Sequence, residues 1–471
     1  MLKESLLGIE SKMMIKSKGW INNHWKIVFC APLCFPQVSG AHTLKEAVMH
    51  VLATGPEVQI SKIDSEVSQQ ALIQSYASYL PKVDASVSYG PETTDNSTTR
   101  SAGLKSRELK KTEASMSASQ LVFDGFKTAN NIDKSRYNSR AKAFGVQATI
   151  NDAAFEAVQA YVSVLKQAEL LSLSEKNLKE HQAILARIKR RAESGLGRVA
   201  DLDQAEGRFA LSRTNFMSQQ ATYRDVVARY KKVVGLDPAD LSLPAFPVSA
   251  LPTTEDAAVM IALNTNPDMK SSVSNLNAAK AENRGAQGSY YPSLSLQWKA
   301  TRNNDTGGSF GQSKSEATTL NMNYNLFNGG ADKSAILETA AKVSQSKESR
   351  DLERRRIEEK VRNAWNDYTT AQAQLQYFKQ HETATEKTLD AYQKQFSVGQ
   401  RTLMDLLDSE NELFSARQSY INGKYQVLLG QYSVLNTMGK LHEALDLPLP
   451  TQAYFQDPGF FGGVTQIIKN K

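Results

Sequence analysis

Residues 395–410 read QFSVGQRTLMDLLDSE, and residues 193–206 read ESGLGRVADLDQAE. The second stretch is an earlier copy of the first, offset by 204 positions: Gly195 answers to Gly399, Asp201 to Asp405 and Glu206 to Glu410. In both, a glycine interrupts a long helical pattern, and acidic residues crowd the point where the pattern resumes. A glycine at such a break supplies the positive φ that ends a helix. Each stretch is therefore expected to be the tip of a helix–turn–helix.

The flanks support long helices. Residues 126–192 hold no proline and a single glycine, Gly145, and residues 330–397 hold no proline. At 1.5 Å per residue each run is expected to reach roughly 100 Å. After the tips, Leu202, Phe209, Phe216, Tyr223 and Tyr230 recur every seven residues, as do Leu406, Leu413, Tyr420, Val427 and Val434. A strict seven-residue apolar repeat predicts a coiled-coil seam, because an ordinary amphipathic helix drifts off that period.

Further out the duplication continues. TLKEAVMHVLAT at 43–54 precedes Pro56, and TEDAAVMIALNT at 254–265 precedes Pro267, 211 positions later. Tyr79 and Pro81 answer to Tyr290 and Pro292 at the same offset. Beyond each of these prolines the period becomes two. Val83, Ala85, Val87 and Tyr89 oppose Asp84, Ser86 and Ser88; Leu294, Leu296 and Trp298 oppose Ser293, Ser295, Gln297 and Lys299. A polar loop follows in each copy, at 91–111 and 302–316. A second alternating run then carries Met116, Ala118 and Val122, or Leu320, Met322, Tyr324 and Leu326, on its apolar face. Each copy thus predicts one hairpin of strands about ten residues long, the length a tilted transmembrane strand needs. A small soluble sheet shows the same alternation; the aromatic residues at the strand ends (Tyr89, Phe123, Tyr290, Tyr291, Phe327) and the N-terminus favour the membrane.

That N-terminus reads as an export signal over residues 1–41. Lys12, Lys16, Lys18 and Lys26 precede the short apolar segment IVFCAPLCFP at 27–36, and Ser39-Gly40-Ala41 offers a cleavage site before His42. Both cysteines, Cys30 and Cys34, fall inside it, so the mature chain is expected to lack disulfides and thiolate metal sites. Neither sits in a lipid-acceptor pattern, and no lipid anchor is expected. The net charge of +7 over 471 residues is spread along helical runs rather than clustered, which argues against nucleic acid. The six histidines show no ligand spacing for a metal, and no phosphate loop or nucleophile elbow is present. No catalytic residue, cofactor or metal is expected. Arg354, Arg355 and Arg356 read as a solvated helix face, as do Arg187, Lys189, Arg190 and Arg191.

Four membrane strands leave two edges that hydrocarbon does not tolerate, so the chain must assemble; three copies would supply twelve strands. With this order of elements, this duplication and tips reading GLGRVADLDQAE and VGQRTLMDLLDSE, the chain resembles the TolC family of outer-membrane efflux and type I secretion ducts across nearly all of its length after residue 42. The resemblance implies a mixed α and β membrane protein. A homotrimer would form a twelve-stranded outer-membrane β-barrel, four strands per chain, continued by a periplasmic α-helical coiled-coil barrel. It would meet a periplasmic membrane-fusion adaptor and an inner-membrane ABC or proton-driven pump. It further implies that Asp405 and Asp408 line the pore constriction at the periplasmic gate, that Arg401 and Asp201 latch neighbouring tips, and that Gly195, Gly197, Gly399 and Leu403 form tip turns where the adaptor docks. Phe396 occupies a place where the family can carry a tyrosine, so one hydroxyl-mediated gate bond is expected to be missing. The organisation expected is a signal at 1–41, a first repeat at 42–243, a linker at 244–253, a second repeat at 254–440 and a tail at 441–471. The rival reading is a soluble coiled-coil scaffold without channel activity.

Overall fold

The computed structural model describes residues 43–195 and 198–469. The expected export signal with its two cysteines, and Gly197 of the first tip, lie outside the described residues.

Each half begins with two helices, the first capped by a threonine and the second opened by a proline. Thr43 closes a capping box with Glu46 at the start of α1 (Leu44–Thr54), and Pro56 opens α2 (Pro56–Tyr76) at a position where its missing N–H costs nothing. In the second half Thr254 caps α6 (Glu255–Thr265), and Pro267 opens α7 (Pro267–Ala286). The strands are β1 (Lys82–Thr94), β2 (Arg107–Phe123), β3 (Ser293–Asn304) and β4 (Gln312–Asn323). A short helix α3 (Ser97–Ser101) sits in the first loop.

All four strands form one antiparallel sheet in the order β1-β2-β3-β4, so the join between the two halves is the β2–β3 pair. Its register carries one face through every strand. Ala85 pairs with Met116 and Met116 with Ala300; Ala118 pairs with Trp298; Leu296 pairs with Leu320. The opposite face is mostly polar, with Ser86 beside Ser115, Ser119 beside Gln297, and Ser295 beside Asn321. A bulge between Leu121 and Phe123 shifts the alternation at the inner end of β2.

The strands run further than the alternation predicts, to 13, 17, 12 and 12 residues. The second loop shrinks from 302–316 to 305–311 accordingly. Outside an apolar layer both faces are wet, so side-chain polarity stops marking a strand whose backbone is still paired. Tyr324 and Leu326 fall beyond β4, because β3 begins at Ser293 and offers them no partner.

The long helices α4 (Lys127–Glu193) and α8 (Ala331–Ser397) have 67 residues each. Each folds back at its tip into a shorter helix, α5 (Val199–Val234) or α9 (Leu403–Thr437). The main core lies at mid-length, where Ile150, Val158 and Tyr161 of α4 meet Tyr425, Tyr432 and Leu435 of α9, with α1, α6 and α8 packed around them. Buried Tyr161 pins the segment that leads into the linker: its hydroxyl donates to the Ser242 carbonyl at 2.8 Å and accepts from the Ser242 N–H at 3.0 Å. The heptad seam is buried at Leu406, Leu413, Tyr230 and Val434 and half-buried at Phe209, Phe216, Tyr420 and Val427. After α9 the chain continues through α10 (Leu441–Ala444) to α11 (Gly459–Lys469). Among the described residues no helix is long and apolar enough to cross a membrane.

Candidate functional site: the paired helix tips

The two tips of the chain share one hydrophobic cluster. Ile184 and Ile188 of α4, Ala205 of α5, Leu389 and Phe396 of α8, and Leu403, Leu406, Leu407 and Leu413 of α9 pack together. Leu407 is wholly buried there, a burial that stabilises by roughly 1.5–3 kcal/mol. Phe396 and Leu403 are therefore core residues of the tip, with Phe396 8% exposed and the Arg191 guanidinium 6.0 Å above its ring. Among the described residues Val199, Val398 and Met404 are apolar and exposed at the tips, beside the turns.

Both turns depend on glycine. Gly195 has φ +76° and Gly399 φ +77°, the left-handed region in which a side chain is strained. At the second tip the Gln400 N–H donates to the Gln395 carbonyl at 2.9 Å and the Gly399 N–H to that of Phe396 at 3.1 Å, closing the end of α8. Thr402 then starts α9 with a capping box. The Asp405 N–H donates to Thr402 Oγ1 at 3.2 Å, while Thr402 N–H and Oγ1 donate to Asp405 Oδ2 at 3.1 and 2.8 Å. These hydrogen bonds from the Thr402 side chain and backbone, aided by Arg401, hold the Asp405 carboxyl below its ordinary value. Asp405 stays a carboxylate at any ordinary pH. At the first tip Asp201 holds the corresponding place in the first turn of α5, but the residue at the N-cap is Arg198, which makes no side-chain cap.

Arg401 is held by its own tip. Its guanidinium carbon lies 4.2 Å from the centroid of the Tyr392 ring, Nε donates to Gln395 Oε1 at 3.0 Å, and Nη1 stands 4.0 Å from Asp405. Asp408 is paired across the two repeats: Arg208 Nη2 of α5 donates to its Oδ1 at 2.7 Å. Tyr392 and Arg208 were not singled out in the sequence. A tyrosine seven before Gly399 carries a weak signal for Tyr392; the Arg208–Asp408 pair spans 200 positions and no local pattern announces it.

One turn above the tip lies a second missed feature. Glu410 of α9 is 4% exposed, accepts from Gln393 Nε2 at 3.0 Å and faces Glu180 of α4. Burial first, and then Glu180, push its carboxyl up to about 7. Among the described residues no group of histidine, cysteine or acidic side chains is arranged to hold a metal ion.

A scan of the chain against family models matches the outer membrane efflux protein model over residues 48–235 and 259–440, one segment in each half. The chain belongs to the outer membrane efflux protein family. Among curated relatives of this family it is similar to the outer membrane efflux protein BepC of Brucella suis biovar 1, with 22% identity covering 86% of this chain and 87% of the relative. It is similar to the outer membrane protein TolC of Escherichia coli K12, with 22% identity covering 87% and 84%. It is also similar to the alkaline protease secretion protein AprF of Pseudomonas aeruginosa, with 23% identity covering 84% of each. Among solved structures, the outer-membrane channel OprN superposes with a TM-score of 0.75 at 18% identity, covering 84% of this chain and 90% of that one. The Campylobacter jejuni outer membrane channel CmeC superposes with 0.75 at 16%, covering 88% and 90%. The fold class expected from the sequence is the one found: a four-stranded share of a trimeric outer-membrane barrel, continued by a periplasmic helical barrel and built by tandem duplication. As a member of this family the chain is an exit duct of the outer membrane, and the family is one of channels, not enzymes.

Proposed function

We propose that the six tips of a homotrimer form the periplasmic gate of this duct, and that the duct passes its cargo without chemistry of its own. The observation that carries the reading is the shared tip cluster. It sets the two tips of one protomer side by side and leaves Asp405, Asp408, Arg401 and Asp201 outside its core. Around a threefold axis Asp405 and Asp408, three residues apart on one helix, make two stacked carboxylate rings that hold cations and repel anions. In the closed trimer Arg401 would exchange its contacts with Gln395 and Tyr392 for Asp201 of the adjoining first-repeat tip and so latch the ring; its weak 4.0 Å approach to Asp405 supports the reading. Exposed Val199, Val398 and Met404, beside Gly195, Gly399 and Leu403, supply the surface for a periplasmic membrane-fusion adaptor, itself joined to an inner-membrane ABC or proton-driven pump. The cargo is a secreted polypeptide or a small toxic molecule, since the relatives' names include both protease secretion and efflux.

Planar-bilayer recording tests the gate. Wild-type trimers are expected to be blocked by micromolar trivalent cations, and Asp405→Ala with Asp408→Ala to lose that block by tenfold or more. A block that survives the double substitution removes both carboxylates from the lumen. In the same bilayers Arg401→Ser is expected to raise the resting conductance; an unchanged closed state takes Arg401 out of the latch.

A further inference from the structure

The C-terminal tail climbs the molecule toward the sheet. Lys45 at the start of α1 pairs with Asp446 at 2.8 Å. Along α2, Ser65 donates to the Gln452 carbonyl at 3.1 Å and Gln69 to that of Gln456 at 2.8 Å, and the Tyr76 hydroxyl donates to Asp457 at 3.2 Å. Arg136, near the start of α4, holds the same Asp457 at 2.8 Å. The tail thus advances in step with α2 to the end that leads into β1, and there it becomes α11.

The docking of α11 is specific. Phe460 packs edge-on against Tyr76 and Tyr79, with ring centroids 6.4 and 5.8 Å away, and Ile467 joins the small cluster of Leu72, Tyr76 and Ile132. Gly463 lies so close to Tyr76 that a Cβ there would stand 2.7 Å from the ring. Tyr79 in turn touches the sheet, its carbonyl accepting from Gln120 of β2 at 2.9 Å. With its inner face committed to Tyr76 and Tyr79, α11 turns Phe461 outward, 83% exposed and 5.5 Å from Phe460. The surrounding level of the molecule is equally apolar and open. Val122, Phe126, Tyr290, Tyr291, Leu326 and Phe327 are all exposed where strands meet helices. Aromatic side chains at this level are the girdle of a membrane barrel.

We propose that α11 is an interfacial anchor: it lies in the periplasmic leaflet of the outer membrane, beside the barrel rim, with Phe461 among phospholipid acyl chains. The inference rests on the sheet being the membrane-spanning part. What selects lipid as the occupant is continuity, since Phe461 stands next to Phe460, which packs on the tyrosine whose carbonyl is bonded to the sheet. A short helix with one face docked and an aromatic residue on the other gains by burying it at the boundary of headgroups and chains.

The test uses full-length protein carrying single cysteines on a background with Cys30 and Cys34 replaced, labelled with a small environment-sensitive fluorophore. Phe461→Cys is compared with Leu320→Cys, on the apolar face of β4, and with Tyr454→Cys, an exposed position lower on the tail. Trimers are reconstituted into phosphatidylethanolamine–phosphatidylglycerol vesicles with or without dibrominated chains. Quenching by the brominated lipid is expected at 461 to at least half the extent seen at 320, and none at 454. Quenching at 320 with none at 461 overturns the anchor. So does a label at 461 shielded from aqueous quencher but untouched by brominated lipid, which means a second copy of the chain covers it. Absence of quenching at both 320 and 461 removes the membrane reading of the sheet, and the anchor with it.

Discussion

Glu410 is a carboxylate whose charge the fold opposes. It is buried between α4 and α9 with Glu180 opposite, and its carboxyl is raised to about 7 from an ordinary 4.5. The folded protein therefore holds the proton that the unfolded chain gives up. Stability attached to this group is complete below about pH 4.5 and declines as pH rises through about 7, where the folded form must ionise too. Glu410→Gln keeps the shape and removes the charge, and Gln393 can still donate to the new amide oxygen. Thermal unfolding of detergent-solubilised trimers is expected to show the variant more stable than wild type at pH 8, by up to about 3 kcal/mol, and equal to it at pH 4. Equal stabilities at both pH values would mean that Glu410 ionises without penalty. Asp405 is the opposite case: its capping bonds favour the charged form, so this carboxylate, proposed to line the gate, does not titrate in this range.

At the scale of elements, the tip is a joint between two repeats rather than two separate hairpins. Phe396 and Leu403 fill the joint, and Arg208 of α5 bridges to Asp408 of α9 across its surface. The half-exposed pair contributes less than about 1 kcal/mol to stability, yet it sits on a carboxylate proposed to face the lumen. Arg208→Gln leaves that ring uncompensated. Trivalent cations are expected to block the variant at several-fold lower concentration, while the melting temperature of the trimer stays within about 2 °C, as a small free-energy change requires. An unaltered blocking concentration would show that Arg208 does not screen Asp408 from the permeating ion. Much of this element-level design was legible beforehand. The glycines of the turns, the acidic first turns and the length of the helices follow from spacing alone. Arg208 and Tyr392 were not, because what they meet is set by how helices pack and not by their neighbours in the chain.

For the molecule as a whole, the sheet decides how the chain lives. Among the described residues its edges β1 and β4 have no partner within one protomer, and its register puts Val83, Met116, Leu296 and Leu320 on one face and mostly serines, asparagines and threonines on the other. Leu320→Arg places a charge toward lipid, at a cost of up to about 2–4 kcal/mol per chain, the value at mid-bilayer. Ser117→Arg, on the polar face of β2, places the same charge toward water. Outer-membrane fractions are expected to contain few trimers of the first variant and normal amounts of the second, which alters conductance instead. The reverse result would turn the sheet inside out.

Period and spacing settle a great deal here. The 204- and 211-residue offsets establish the duplication, the change from helical to two-residue period marks where helices give way to strands, and Gly195 and Gly399 mark the tips. These are local properties, written in residues a few positions apart, because backbone geometry imposes its period on neighbouring side chains. Packing settles the rest. That Phe396 closes a core, that Glu410 meets Glu180, and that the tail scales α2 to bring Phe461 to the barrel rim all depend on contacts between segments distant in the chain. Such contacts are chosen by the joint burial of several helices at once, and no repeat within any one of them encodes the choice.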